Sequence, residues 1–321
     1  MKRKRIASVC ILATMIASSS RCAELQSQPA LHTNAQQVCR IEASQIRESS
    51  GLALSQRLHD AIWLHNDSGD TARFFLVGID GSTRGVFRLA DTPPPVDWED
   101  MCSFTLDGEP WLMFGDVGDN SSSRHFVTPD NGPDRACRLL LVREPIHNDG
   151  SDQDHVPVHA TILFEYEDGP RNCESLAVDT DRKEILLVSK SKSTPLDCGM
   201  YTIPLSLEAG TTSAIARRIG SLDIRSATAM DVAPGNRRLV IISYAGATIV
   251  DRDGGEGWGD AIHRPWPLLA LPRREGGETV CFDRSDDELL LNSEHVGQPL
   301  WRVKLPDFAA KAFPREDVPS Q

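Results

Sequence analysis

The chain predicts an all-β fold, a five-bladed β-propeller closed by its own N-terminal strand. A short motif recurs in five places, with Ser50 (SSGLAL), Glu99 (WEDMCS), Glu174 (CESLAV), Thr228 (ATAMDV) and Glu278 (GETVCF) at the aligned position. Each copy carries an apolar residue two places on, at Leu52, Met101, Leu176, Met230 and Val280. Each then leaves a second apolar run at one constant offset, at Asn66, Gly115, Lys190, Tyr244 and Glu294. A constant offset inside units of unequal length marks one structural unit repeated with variable loops. The apolar runs are short and no helical period is sustained, which suits β blades and not a helical repeat.

Taken in order, residues 37–46 (QVCRIEASQI) alternate and predict a strand. The first unit predicts strands at 50–55, 61–65, 73–79 and 85–89. The second predicts them at 99–106, 111–114, 138–143 and 160–166, with insertions at 118–136 and 147–159. The third has 174–179, 184–189, 200–204 and 214–219, and the fourth 228–232, 238–243, 247–251 and 267–271. The fifth offers only 278–283, 288–292 and 299–305, so the strand at 37–46 supplies its missing outer member and joins the chain ends. Turn pairs such as Asp80-Gly81, Asp107-Gly108 and Pro234-Gly235 separate the runs. One domain, 37–307, follows, with a linker at 24–36 and a flexible tail at 308–321.

The N-terminus, Met1-Lys2-Arg3-Lys4-Arg5 followed by an apolar run at 6–17 and three serines, reads as a secretory signal peptide at 1–23. The run is too short to span a bilayer, and no later segment reaches that length. Arg21 before Cys22 speaks against a lipoprotein. A secreted or periplasmic protein without an integral membrane segment is expected. The formal charge of −12 and the lack of a basic stripe exclude nucleic acid and anionic membrane as natural partners. Six cysteines, Cys39, Cys102, Cys137, Cys173, Cys198 and Cys281, lie beyond residue 23, and in an oxidising compartment they suggest disulfides. Cys173 with Cys198 is the predicted bond, and Cys102 with Cys137 a second. No Cys-x-x-Cys or zinc-type Cys/His spacing is present.

In a blade, the innermost strand begins at the channel mouth and the antiparallel second strand returns to the same face. Ser50, Glu99, Glu174, Thr228 and Glu278 are therefore predicted to form an inner ring. Asn66, Asp67, Asp116, Asp119, Lys190, Tyr244, Glu294 and His295 should form a wider ring that binds a ligand. Glutamates converging on an axis raise one another's pKa unless a cation intervenes. Three Glu with Ser and Thr suit Ca²⁺, and the absence of His argues against zinc or copper. Capping of backbone N–H groups by the same glutamates is the plain structural alternative. HNDSGD at 65–70 and GDVGDN at 115–120 hold further oxygens but lack the full calcium-loop pattern. DRDGGEGWGD at 251–260 reads as a flexible loop, and Asn120-Ser121-Ser122 fits the short glycosylation triplet.

These five motifs resemble those of the SdiA-regulated family of exported or periplasmic β-propellers. Members carry an opening Ser-Gly-Leu, Glu-centred motifs in the second, third and fifth blades and a hydroxyl residue in the fourth. Here these match Ser50-Gly51-Leu52, Glu99, Glu174, Glu278 and Thr228 over about residues 48–305. The resemblance implies a calcium ion in the fold and no established biochemical activity. DWED at 97–100, GDVGDN at 115–120 and the insertion after it depart from the family pattern.

Two functions follow. The first is a non-enzymatic exported propeller that contains calcium and binds an unknown small molecule or protein at the channel mouth. The second is a calcium-dependent hydrolase of phosphoesters or lactones. There Asp67, Asp116, Asp119 or Glu294 would activate water, and Lys190 and His295 would stabilise developing negative charge. A single rim lysine among so many acids is poor for a phosphate site and favours the first. No Gly-x-Ser-x-Gly elbow or P-loop is present.

Overall fold

The computed structural model describes residues 30–124, 136–147, 153–191 and 197–306. The predicted signal at 1–23, the tail at 308–321 and parts of both insertions lie outside the described residues. The strands are β1 (Leu31–His32), β2 (Asn34–Arg40), β3 (Ser49–Leu54), β4 (Ala61–Asn66), β5 (Arg73–Gly78), β6 (Thr83–Ala90), β7 (Trp98–Leu106) and β8 (Glu109–Asp116). They continue with β9 (Cys137–Arg143), β10 (Gln153–Pro157), β11 (Ala160–Tyr166), β12 (Cys173–Asp179), β13 (Glu184–Ser189), β14 (Cys198–Pro204) and β15 (Gly210–Leu222). The remainder are β16 (Ala227–Val232), β17 (Arg238–Ser243), β18 (Gly246–Asp251), β19 (Leu268–Ala270), β20 (Cys281–Phe282), β21 (Glu288–Leu291) and β22 (Pro299–Lys304), with one short helix among the described residues, α1 (Trp258–Ala261).

The fold is all-β and propeller-like, built from antiparallel meanders. The sheet orders are β10-β6-β5-β4-β3, β12-β13-β14-β15-β11-β9-β8-β7, β1-β19-β18-β17-β16 and β2-β22-β21-β20. The first strands of successive meanders pack in a closed cycle, β3 on β7, β7 on β12, β12 on β16, β16 on β20 and β20 on β3. Apolar side chains on both sheet faces fill the wedges between neighbours. One wedge holds Trp63, Phe74, Phe87, Trp98 and Phe114, with Trp98 and Phe114 stacked at 5.0 Å. Burying one large aromatic contributes about 2–3 kcal/mol, so each wedge is a core in its own right.

The chain ends join antiparallel, from Asn34 opposite Lys304 to Arg40 opposite Pro299. The closing strand therefore starts earlier than the predicted 37–46, inside the stretch read as linker. Ile41, Ala43 and Ile46 leave the ladder and pack into the wedge against Leu52, Leu64 and Leu300. Their alternation marks burial and not strand pairing. Parallel edge strands also escaped sequence reading. β10 pairs with β6, β1 with β19, and β11 with the first half of a long β15. The loop at 251–260 is anchored by Trp258, whose indole donates to Asp179 Oδ2 at 2.8 Å while Arg252 stacks on it at 4.3 Å.

All six cysteines of the described residues are free thiols, so the two predicted disulfides are not formed. Cys173 faces the wedge before its sheet and Cys198 the wedge behind it. Opposite faces of one sheet cannot be bridged. Cys102 and Cys137 share a wedge, but β8 runs between their strands, a spacing of about 9–10 Å before any offset along the strands. Among the described residues, no helix is long and apolar enough to cross a membrane.

Candidate functional site

The repeated motif is a β-bulge. Register shifts fall between Ser49 and Gly51, Trp98 and Met101, Cys173 and Leu176, and Ala227 and Ala229. Each shift brackets the aligned residue, Ser50, Glu99, Glu174 or Thr228. A bulge turns its extra residue out of the ladder, which is how a strand end re-aims a side chain. In the last copy β20 begins only at Cys281, because Glu278 donates its N–H to Gly276 O at 3.0 Å, in a turn where Gly276 adopts a positive φ of 56°. All five aligned residues are buried.

The three glutamates come together but do not share one environment. Lys190, from the end of β13, forms an ion pair with Glu174 and stands 3.8 Å from Glu278 Oε1. The Tyr244 hydroxyl donates to Glu278, and the Tyr244 ring lies 5.3 Å from the ammonium. Burial alone would lower the Lys190 pKa, but Glu174 and Glu278 hold it above its ordinary value. Burial pushes Glu174 up to about 7 despite Lys190, with Glu278 adding repulsion. Asn172 donates to Glu174 Oε1 at 3.2 Å. Thr228 Oγ1 donates to Gly277 O at 3.4 Å, so its hydroxyl is committed to backbone.

Glu99 has no hydrogen-bond or ion-pair partner among the described residues, although it is 4% exposed. Its carboxylate gathers with Asp67 and Asp97, one oxygen of each lying within 4.8 Å of the others. Burial and the charges of Glu174, Asp67, Asp97 and Glu278 raise the Glu99 pKa well above the usual range. Burial, then Asp97, Glu278 and Glu48, push Asp67 up to about 6. Asp97 is likewise raised, by burial and Asp116, with Arg124 opposing. The Gly118 backbone closes the other side, where a Cβ would strike both Asp97 and Glu99. These are hard oxygen donors with no nitrogen or sulfur among them, a set suited to Ca²⁺ or Mg²⁺ and not to softer ions.

The wider ring divides. Asp116 is locked by Arg124 at 2.9 Å and by Arg138 and accepts the Asp97 N–H at 3.0 Å. Burial would raise its pKa, but the two guanidinium groups hold it below the usual carboxylate range. Asp119 caps its own loop by accepting from the N–H groups of Ser123 and Arg124 at 2.8 and 2.9 Å. Asn66 bridges Gln45 O, Asp70 and the N–H groups of Arg47 and Glu48. It lies on the wall of a cleft of about 490 Å³ beside the mouth, with Gln45, Arg47, Glu48, Asp70 and Arg73. Glu294 folds over Gly276, and burial with Glu278 raises its pKa. His295 stands outermost, 3.9 Å from Glu275. Asp97 was not among the predicted site residues. It lies two residues before the aligned glutamate, outside the periodic signal, and the departing motif DWED was its only trace.

No protein-family model matches the chain, and no curated protein matches it. Among solved structures, a crystal structure of a nidogen/laminin complex overlaps 77% of this chain and 73% of its own, at 10% identity and a TM-score of 0.40. That overlap is too slight to carry family, function or partner.

Proposed function

We propose that the chain is an exported five-bladed β-propeller whose acidic channel mouth binds calcium and whose mouth face receives a small molecule or protein. The eight-stranded sheet then counts as two blades fused along their outer edges by the parallel pairing of β11 with β15. The observation that carries the reading is Glu99, a buried carboxylate without a partner among the described residues, set against Asp67 and Asp97. Like charges so placed repel unless a cation neutralises them. Asp67, Asp97 and Glu99 would hold the ion, while Glu174 and Glu278, already served by Lys190, stand behind as part of the same field. This moves the centre away from the symmetric ring of Ser50, Glu99, Glu174, Thr228 and Glu278. A bound calcium would supply charge neutralisation and a fixed array of oxygen ligands at the mouth.

Binding is favoured over hydrolysis by what surrounds the mouth. Val96, Tyr244 and Val296 are exposed apolar groups on its rim, as a contact surface requires. Of the proposed bases, Asp116 is consumed by two arginines and Asp119 by its turn. The five repeated motifs, four of them bulged, support kinship with the SdiA-regulated propellers, and the basic, apolar and serine-rich N-terminus supports a secreted or periplasmic location. The test is calorimetric titration of chelator-treated protein with CaCl₂, alongside melting curves. Wild type should bind and melt higher, Glu99→Gln and Asp97→Asn should lose both effects, and equal midpoints with calcium and with chelator would overturn the reading.

A further inference from the structure

The opposite end of the channel carries an independent feature. There the innermost strands end, and Leu54, Phe104, Val178 and Phe282 with Asp231, Asp283 and Arg284 line a cavity of about 340 Å³, the Arg284 guanidinium being engaged by the carbonyls of Ser55 and Leu58. Asp231 differs from three neighbouring acids of this end, each of which has an arginine partner. Asp283 is met by Arg302 at 2.8 Å, Asp251 by Arg238 at 2.6 Å and Asp179 by Arg252 at 2.7 Å. Asp231 has no ion-pair partner among the described residues, and its oxygens accept only the backbone N–H groups of Val232 and Phe282, at 2.9 and 2.8 Å. It is half-buried at the end of β16 and faces the cavity.

We propose that this cavity binds a small organic cation, an ammonium group on an apolar body. The ammonium would pair with Asp231, which each backbone donor leaves with further acceptor capacity on its oxygens. Phe104 and Phe282, 5% and 2% exposed, with Leu54 and Val178 supply apolar wall for the body of the ligand. The volume is at the lower end of that of small-ligand sites, so a molecule of about ten heavy atoms fits. A half-buried carboxylate without a counter-charge is costly, and desolvation pushes Asp231 up to about 7. A paired cation would remove that penalty.

The probes are phenethylammonium, its neutral counterpart phenethyl alcohol and the anion phenylpropionate, titrated into the full chain by ligand-observed NMR and calorimetry. The ammonium should bind at least about tenfold more tightly than the alcohol, and the anion not at all, since only the first pairs with the carboxylate. Asp231→Asn should abolish that preference. Glu99→Gln and chelator should leave it intact, which separates this site from the acidic mouth. Equal binding of alcohol and ammonium, preference for the anion, no binding of any probe, or an unchanged preference in a folded Asp231→Asn protein would each overturn the proposal. The probe series on wild type decides the matter should that variant not fold.

Discussion

Lys190 is paired with Glu174 where their side chains are only 6% and 5% exposed, and its ammonium also stands 3.8 Å from Glu278. The channel mouth is thus electrostatically divided. One half carries its own cation, while the half formed by Glu99, Asp67 and Asp97 does not. The asymmetry comes from one position of the repeat. The residue at the constant offset, at or near the end of the second strand, is Lys190 in one copy and Asn66, Gly115, Tyr244 or Glu294 in the others.

Replacing Lys190 by Met should therefore destabilise the protein at neutral pH by about 3–5 kcal/mol, the usual result of removing one partner of a buried ion pair. Calcium should recover part of that loss, because Glu174 and Glu278 would then join the set available to the ion. Urea unfolding in chelator and in calcium measures both effects. A loss of the same size in both media would show that the two halves are independent.

The pH dependence has a definite sign. Asp67 at about 6, Glu174 at about 7 and Asp231 at about 7 all lie above their unfolded values. In that window the native state binds more protons than the unfolded chain, so stability rises as pH falls. His65 opposes this. Burial lowers its pKa to about 4, so the stability that its neutral form contributes is lost as pH falls below about 6.5. The chelated protein should gain on the order of 1–3 kcal/mol between about pH 8 and pH 6.5, then level off. Melting temperatures across that range check it. With calcium the gain should shrink, because protons and the ion compete for the same carboxylates.

The inner strands and the ring of glutamates were legible because both are periodic. The motif repeats at one offset from an apolar run, and burial on both faces leaves near-continuous runs such as Ile185 to Val188. Lys190 was legible too, since it stands at the constant offset of the repeat, but its pairing with Glu174 was not, and Asp97 and Asn172 reach the mouth from loops and strand starts that no period governs. The disulfide expectation failed for a physical reason. Residues near one end of a sheet share a rim, yet alternation sends their side chains to opposite faces, as with Cys173 and Cys198. The register β11–β15 joins edges whose pairing depends on how neighbouring blades meet, which no single strand records.

Asp100 stitches the cycle of inner strands. Its Oδ2 accepts the N–H of Leu176 at 2.8 Å and that of Met230 at 3.1 Å, from β12 and β16. Burial raises its pKa well above the usual range, against the three backbone N–H groups that donate to it. Asp100→Ala should cost about 3 kcal/mol or more by leaving buried N–H groups unpaired. Asp100→Asn keeps one acceptor oxygen for the N–H groups of Leu176 and Met230 and should cost less than half as much. Denaturant midpoints decide it, and equal losses would refute the stitch.

The buried thiols should be inert in the native protein. Burial pushes Cys137 and Cys173 up to about 12, and thiolate is the reactive form. Native alkylation should label at most Cys39, which alone of the six is not fully buried. Alkylation in denaturant without reductant, read by peptide mass, should label all of Cys39, Cys102, Cys137, Cys173, Cys198 and Cys281. A pair that labels only after reduction would reveal a disulfide and contradict the thiol assignment.

Gly118 offers the most selective test of the cation site. Its N–H donates to Asp97 O at 3.1 Å, which fixes the backbone against the acidic group, and an added Cβ would meet the carboxylates of both Asp97 and Glu99. Those side chains must swing away, at a cost of about 1–3 kcal/mol if the surroundings resist. The geometry required by the ion is lost, whereas the charges, the wedges and the Lys190 pair are untouched. Wild type should gain about 2.7 kcal/mol from calcium at a hundredfold excess over Kd. Gly118→Ala should gain almost none, while its unfolding in chelator stays cooperative. An unreduced calcium increment in that variant would place the ion elsewhere and leave Asp67, Asp97 and Glu99 as a repulsive cluster relieved by protons alone.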